Sequence, residues 1–150
     1  MSRSTAKAQS AYVLDSFALL VWLRDENGAG RVQAVLDRAD RKEIKLHASW
    51  VNIAEVYYVT QRRSLDPDPA LTAAQVVEVI ENLPIQLHGA AKAEVLAAAR
   101  LKAVFPISIA DAFAAALATS NNAKIMTGDP EFKALEKTKE LAIEWLPQKA

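Results

Sequence analysis

Cysteine is absent from this 150-residue chain, and histidine occurs only at His47 and His88. The first absence removes disulfides, zinc–thiolate sites, iron–sulfur clusters and cysteine nucleophiles together, and is compatible with a reducing cytoplasm. The second argues against a histidine-rich metal site, so any metal is expected to be a hard cation held by oxygen ligands. An excess of either charge is lacking as well: 18 Lys and Arg balance 18 Asp and Glu. Binding of a polyanion therefore has to come from a local patch. No apolar run approaches the roughly 20 residues that span a bilayer; the longest strongly apolar stretch is Phe17 to Leu23. The polar Met1 to Ser10 extension leads into an apolar run interrupted by Asp15, with no small-residue cleavage signal after it, so no signal peptide is expected. At 51% hydrophobic and 24% charged residues, the composition fits one soluble globular domain over 1–150, with 1–10 as its extension.

The pattern along the chain alternates strands with helices. Ala11 to Leu14 (AYVL) reads as a strand ending at Asp15, with Ser16 capping a helix through Phe17 to Leu23. After a loop around Asn27 to Gly30, Val32, Val35, Leu36 and Ala39 recur at helical spacing. Ile44 to His47 (IKLH) is a second strand, and Ser49 caps a helix carrying Val51, Ala54, Glu55, Tyr58 and Val59. Arg62 to Pro69 is punctuated as a loop, and Thr72 with Gln75 forms a capping box for a helix from Ala73 to Leu83. Ile85 to Leu87 is a brief strand, followed by an Ala-rich helix from Gly89 to about Val104 that stops before Pro106. Ser108 with Asp111 repeats the capping signature ahead of a small-residue helix, Ala112 to Thr119. Lys124 to Thr127 (KIMT) is a strand, Glu131 to Glu136 a short helix after Pro130, and Ala142 to Trp145 a last edge strand. Such alternation argues a mostly parallel sheet of four or five strands covered by helices on both faces, an α/β/α sandwich.

Four acids fall at one end of that sheet. Asp15 closes the first strand, Asp129 closes KIMT, Asp111 opens a helix, and Glu55 lies in the second turn of the helix after IKLH. These are the carboxyl ends of parallel strands, where ligands of doubly wound sheets bind. Carboxylates gathered there repel one another, and a divalent cation neutralises them. With oxygen ligands alone, Mg²⁺ or Mn²⁺ is the natural choice. Each acid also has a plain reading: Asp15 and Asp111 as helix N-terminal residues, Asp129 as a turn residue in G-D-P, and Glu55 as a solvated helix residue. Glu55, however, borders an apolar face and needs a partner there.

Tyr12 to Leu20 (YVLDSFALL), Asn52 to Val56 (NIAEV), Ser108 to Ala118 (SIADAFAAALA) and Ile125 to Phe132 (IMTGDPEF) together resemble the PIN domain, and more narrowly the VapC-type toxins of bacterial and archaeal toxin–antitoxin pairs. The resemblance runs from Tyr12 to Trp145 and rests on order and spacing, since D-S, N-x-x-E and T-G-D are each common. It implies a central parallel sheet, a metal-dependent endoribonuclease using Mg²⁺ or Mn²⁺, and products with a 5′ phosphate and a 3′ hydroxyl. Matched by motif, Asp15, Glu55, Asp111 and Asp129 are the catalytic, metal-binding acids, with Ser16, Asn52 and Thr127 supporting them. Glu131 stands where some relatives carry a further acid, and the sequence favours a first-turn helix residue there. The resemblance also implies a VapB-like antitoxin whose tail covers the acidic site, and a homodimer.

An RNA strand needs positive charge, and Arg62 and Arg63 at the end of the Glu55 helix are the first candidates for phosphate contacts, with Arg24 and Lys92 behind them. Helix-end placement explains such residues equally well. Trp50, Tyr57 and Tyr58 read as core or dimer contacts before base-stacking residues. Two other functions compete. A phosphotransferase with Asp15 as nucleophile should carry an acid two residues on, where this chain has Phe17. A receiver domain should end a middle strand in Asp, where His88 follows Leu87. A non-catalytic scaffold would keep the fold without needing the four acids.

Overall fold

The computed structural model describes residues 10–63, 71–138 and 141–147. Most of the polar N-terminal extension and the Pro- and Asp-rich part of the loop expected before Thr72 lie outside these residues. Five strands, β1 (Ala11–Leu14), β2 (Lys45–Ser49), β3 (Gln86–His88), β4 (Lys124–Thr127) and β5 (Ile143–Trp145), form one sheet in the order β3-β2-β1-β4-β5. Every pairing is parallel, so the sheet is parallel throughout, not only mostly. The helices are α1 (Ser16–Leu23), α2 (Ala29–Asp40), α3 (Trp50–Arg63), α4 (Ala73–Glu81), α5 (Lys92–Val104), α6 (Ile109–Ser120) and α7 (Lys133–Glu136), the last preceded by a 3-10 turn at Pro130–Phe132. The helix expected from Gly89 begins three residues later, and the one expected at Ala112 begins at Ile109.

Strand alternation sorts the core into two layers. Leu14, Leu46, Ala48 and Met126 face α1, α2, α3 and α4. Their neighbours Val13 and Ile125 face the other way, onto α5, α6 and Phe132. Helix α6 is buried at seven of its residues, five of them Ala or Leu. Its small side chains let it lie close against the sheet and hold Asp111 at the sheet's edge. The turn into α2 needs a left-handed residue, which Gly28 supplies at φ 107°. Thr72 and Gln75 close the expected capping box at 2.9 and 3.1 Å.

Strand β1 is followed by β2 on one side, whereas the chain returns to β1's other side only at β4. The reversal leaves a crevice beyond the carboxyl ends of β1 and β4, the position where parallel sheets of this kind bind ligands. Among the described residues, no single helix is long and apolar enough to cross a membrane.

Candidate metal centre

Asp15 follows β1 directly and takes the extended dihedrals of an N-cap, φ −84° and ψ −179°. Its Oδ1 accepts from the Ala18 amide at 2.9 Å and its Oδ2 from the Thr127 hydroxyl at 2.5 Å. This corrects the assignment of the cap to Ser16, which is instead the first helical residue. Freed from capping, the Ser16 hydroxyl donates to Glu55 Oε1 across from α1 to α3. Ser49 closes β2 and accepts from the Val51 amide at 3.1 Å, so it starts α3 from the strand side.

Thr127 ties the two central strands together at the crevice. Its Oγ1 donates to Asp15 and accepts from the Asp129 amide at 3.0 Å. Asp129 in turn caps the 3-10 turn, its Oδ1 accepting from the Glu131 amide at 3.0 Å. On the opposite wall, the Ser108 hydroxyl accepts from the Asp111 amide at 3.1 Å, which sets Asp111 in the first turn of α6. The return bond of a capping box is missing there, because the Asp111 side chain is directed at the acids. Asn52, fully buried one turn before Glu55, donates to the Ala110 carbonyl at 3.3 Å and joins α3 to the start of α6.

Carboxylate oxygens of Asp111, Asp129 and Glu131 all lie within 4.8 Å of one another. Glu131 is therefore part of the cluster, and the reading of it as a helix residue alone is corrected. It does lie in the 3-10 turn that Pro130 starts, but its Oε2 also accepts from the Ser108 amide at 3.5 Å. Burial pushes the Asp15 carboxyl up to about 7, and the charges of Asp129 and Glu55 add to the rise while the Thr127 and Ala18 bonds oppose it. Burial likewise raises Asp111, followed by its pairing with Glu131 and by the charges of Asp129 and Asp15. The same pairing lowers Glu131. The structure thus brings Asp15, Asp111 and Asp129 together electrostatically, adds Glu131, and sets half-buried Glu55 at the margin through Ser16.

A buried acid accepts such a cost when a cation offsets it. Asp111 Oδ2 is shielded from solvent without a hydrogen-bond partner, and so is Asn52 Oδ1. An unpartnered buried carboxylate oxygen among acids, in an all-oxygen donor set, fits a hard divalent cation.

The basic and aromatic candidates fare differently. Arg62 lies over the Tyr58 ring, its guanidinium carbon 4.8 Å from the centroid. Arg24 has a buried Nη2 without a partner, and both burial and the charge of Arg63 lower its pKa. Lys92 begins α5, at the end away from Glu131. Trp50, Tyr57 and Tyr58 are 38, 43 and 44% exposed, so none is a core residue of the chain. They project outward because α3 buries only Asn52, Ile53 and Val56.

The chain belongs to the PIN domain family, whose sequence profile matches residues 12–138. Among solved structures it is similar to a chain of VapBC2 from Rickettsia felis, solved bound to a DNA fragment from the promoter, with TM-score 0.66, 15% identity and coverage of 91% of this chain and 98% of that one. It is also similar to VapC20 of Mycobacterium tuberculosis, described as a sarcin–ricin-loop-cleaving toxin, with TM-score 0.63, 15% identity and coverage of 84 and 95%. A chain of VapBC-5 from the same organism, a member of the VapBC family of toxin–antitoxin systems, gives TM-score 0.61, 19% identity and coverage of 91 and 98%. At these identities the likeness is one of fold. No curated protein matches the chain in sequence.

Proposed function

We propose that this chain is a metal-dependent endoribonuclease and the toxin of a type II toxin–antitoxin pair. The observation that carries the reading is the acid cluster at the crevice, with the buried, unpartnered Oδ2 of Asp111, one of its members. Membership in the PIN family and the toxin–antitoxin descriptions of similar folds support it. Asp15, Glu55, Asp111 and Asp129 are proposed to hold Mg²⁺ or Mn²⁺, with Glu131 as a fifth acid.

The chemistry such a cation supplies when bound is polarisation of the scissile phosphate and a lowered pKa for water. The chain's own residues have separable tasks. Asp15 is aimed by Thr127 and by the Ala18 amide, so its carboxylate stays in place without reorganising. Asp111 gives a free acceptor oxygen, and its raised pKa limits the negative charge that the acids carry together. Glu55, held by Ser16 and half-exposed, is the acid best placed to orient an attacking water. Asn52 fixes the start of α6 against α3. Arg62 and Arg63 are retained as proposed phosphate contacts, with Arg62 steadied on Tyr58.

The RNA substrate, a VapB-like antitoxin over the acidic site, a homodimer and a cytoplasmic location all belong to this reading. The test is cleavage of a panel of structured RNAs by the purified chain with Mg²⁺, Mn²⁺ or EDTA, beside an Asp15→Asn variant. Metal-dependent cutting lost in the variant supports the proposal. Absence of both cutting and metal binding leaves a PIN-fold scaffold.

A further inference from the structure

Lys92 lies at the far end of α5 from the acids, yet a second lysine of that helix sits beside them. Lys102 lies in the last turn of α5, and its side chain is exposed. An exposed lysine ordinarily spreads its ammonium into water over many rotamers. Here Nζ is pinned instead, donating to the Ile107 carbonyl at 2.8 Å. That carbonyl belongs to the peptide unit whose other end is the Ser108 amide, which donates to Glu131 Oε2 at 3.5 Å. Lys102 and Glu131 therefore hold opposite ends of one peptide group, and standard peptide dimensions place Nζ no more than about 9 Å from that carboxylate oxygen. Its positive charge acts on Glu131. The Ser108 hydroxyl caps α6 at Asp111, so the same short loop carries the cluster's wall.

A lysine near a helix end that bonds a carbonyl has a plain explanation, since it complements the helix dipole. That explanation uses one of the three ammonium donors. Two remain, on a solvent-facing, pinned cation at the rim of a group of acids that on its own repels a phosphodiester. On the ribonuclease reading above, we propose that Lys102 is a substrate contact, its ammonium receiving a backbone phosphate that flanks the scissile one. The acids engage the scissile phosphate through the cation they hold, and Lys102 engages the strand directly. Its removal should therefore cost affinity for RNA and leave affinity for the metal alone.

The experiment compares three full-length proteins, Asp15→Asn, Asp15→Asn with Lys102→Met, and Asp15→Asn with Lys102→Arg, each with Mn²⁺ and a fluorescein-labelled mixed-sequence single-stranded RNA. Anisotropy titrations across salt concentrations give affinity and its salt slope, and calorimetry gives Mn²⁺ affinity. One lost phosphate contact should flatten the slope by about 0.7. The methionine variant should show that loss with a severalfold weaker Kd, unchanged Mn²⁺ binding and no dependence on RNA sequence, and the arginine variant should restore the slope. An unchanged slope in proteins that bind RNA overturns the Lys102 contact and leaves the ribonuclease reading standing. A loss matched by weaker Mn²⁺ binding also overturns it, making Lys102 a support for the loop. Failure of all three proteins to bind RNA overturns both readings together.

Discussion

Replacing Asp15 by Asn should make the metal-free protein more stable while removing its activity. The Asp15 carboxyl moves from an ordinary 3.8 to about 7 in the folded chain, chiefly through burial. At about 1.4 kcal/mol per pH unit, keeping it ionised above pH 7 costs about 4 kcal/mol. The sign follows from proton binding: between these two values the folded state holds a proton that the unfolded state has released. Stability therefore falls as pH rises from about 4 to 7 and is level above that window. Asn cannot ionise, and it caps a helix about as well as Asp. It also presents a donor where Thr127 now gives its hydroxyl to Oδ2. Losing that bond subtracts about 1 kcal/mol. The variant should then be more stable than the parent by about 3 kcal/mol at pH 8, and by less than about 1 kcal/mol at pH 5. Urea unfolding in EDTA, followed by circular dichroism at pH 5 and pH 8, measures both gaps. A variant that is no more stable at pH 8, or whose advantage does not shrink toward pH 5, would refute the reasoning. Saturating Mn²⁺ should narrow the gap, because only the parent gains full binding energy from it.

Three further outcomes are expected. Glu131→Gln should weaken Mn²⁺ binding by about tenfold or more, read by calorimetry, whereas a residue that only starts a helix would leave it unchanged. Ser16→Ala releases Glu55 from α1, and cleavage should slow by about tenfold while thermal unfolding moves little, since the hydroxyl positions an acid and fills no core space. Gly128→Ala should destabilise by about 1–3 kcal/mol, because the added Cβ would lie 2.5 Å from Phe17 Cζ although the backbone there is unstrained. Phe17→Leu in the same chain should recover most of that loss, which a double-mutant cycle in urea resolves.

The acids were legible because each sits where a local pattern ends. Asp15 and Asp129 follow short β-branched or apolar runs, and Asp111 follows a capping Ser, so parallel-strand logic alone sends them to one edge. What stayed hidden depends on choices between adjacent residues and on rotamers. Asp15 and Ser16 are both good caps, and only the extended dihedrals at 15 decide that Asp15 caps while Ser16 turns to Glu55. Glu131 carries the pattern of a first-turn helix residue, and the sequence does not encode that its chain folds back over Ser108. Arg62 was chosen for its charge, whereas its place over Tyr58 follows from their four-residue spacing on α3. Lys102 had no local signal, since its bond to Ile107 depends on how the chain turns after α5.

The Thr127–Asp15 bond joins residues 112 positions apart in the chain. Contacts of such long range form late, because the loop they close must be ordered first. Synthesis runs from the N-terminus, so β1, β2 and β3, together with Asp15, Glu55 and Asp111, leave the ribosome before Thr127, Asp129 and Glu131 exist. A nascent chain cut short before Thr127 has α1 to α6 and three of the strands but no floor to the crevice and no clustered acids. The centre is thus acquired in one step, when the segment from Thr127 to Glu131 joins the sheet, and no copy shorter than that carries it.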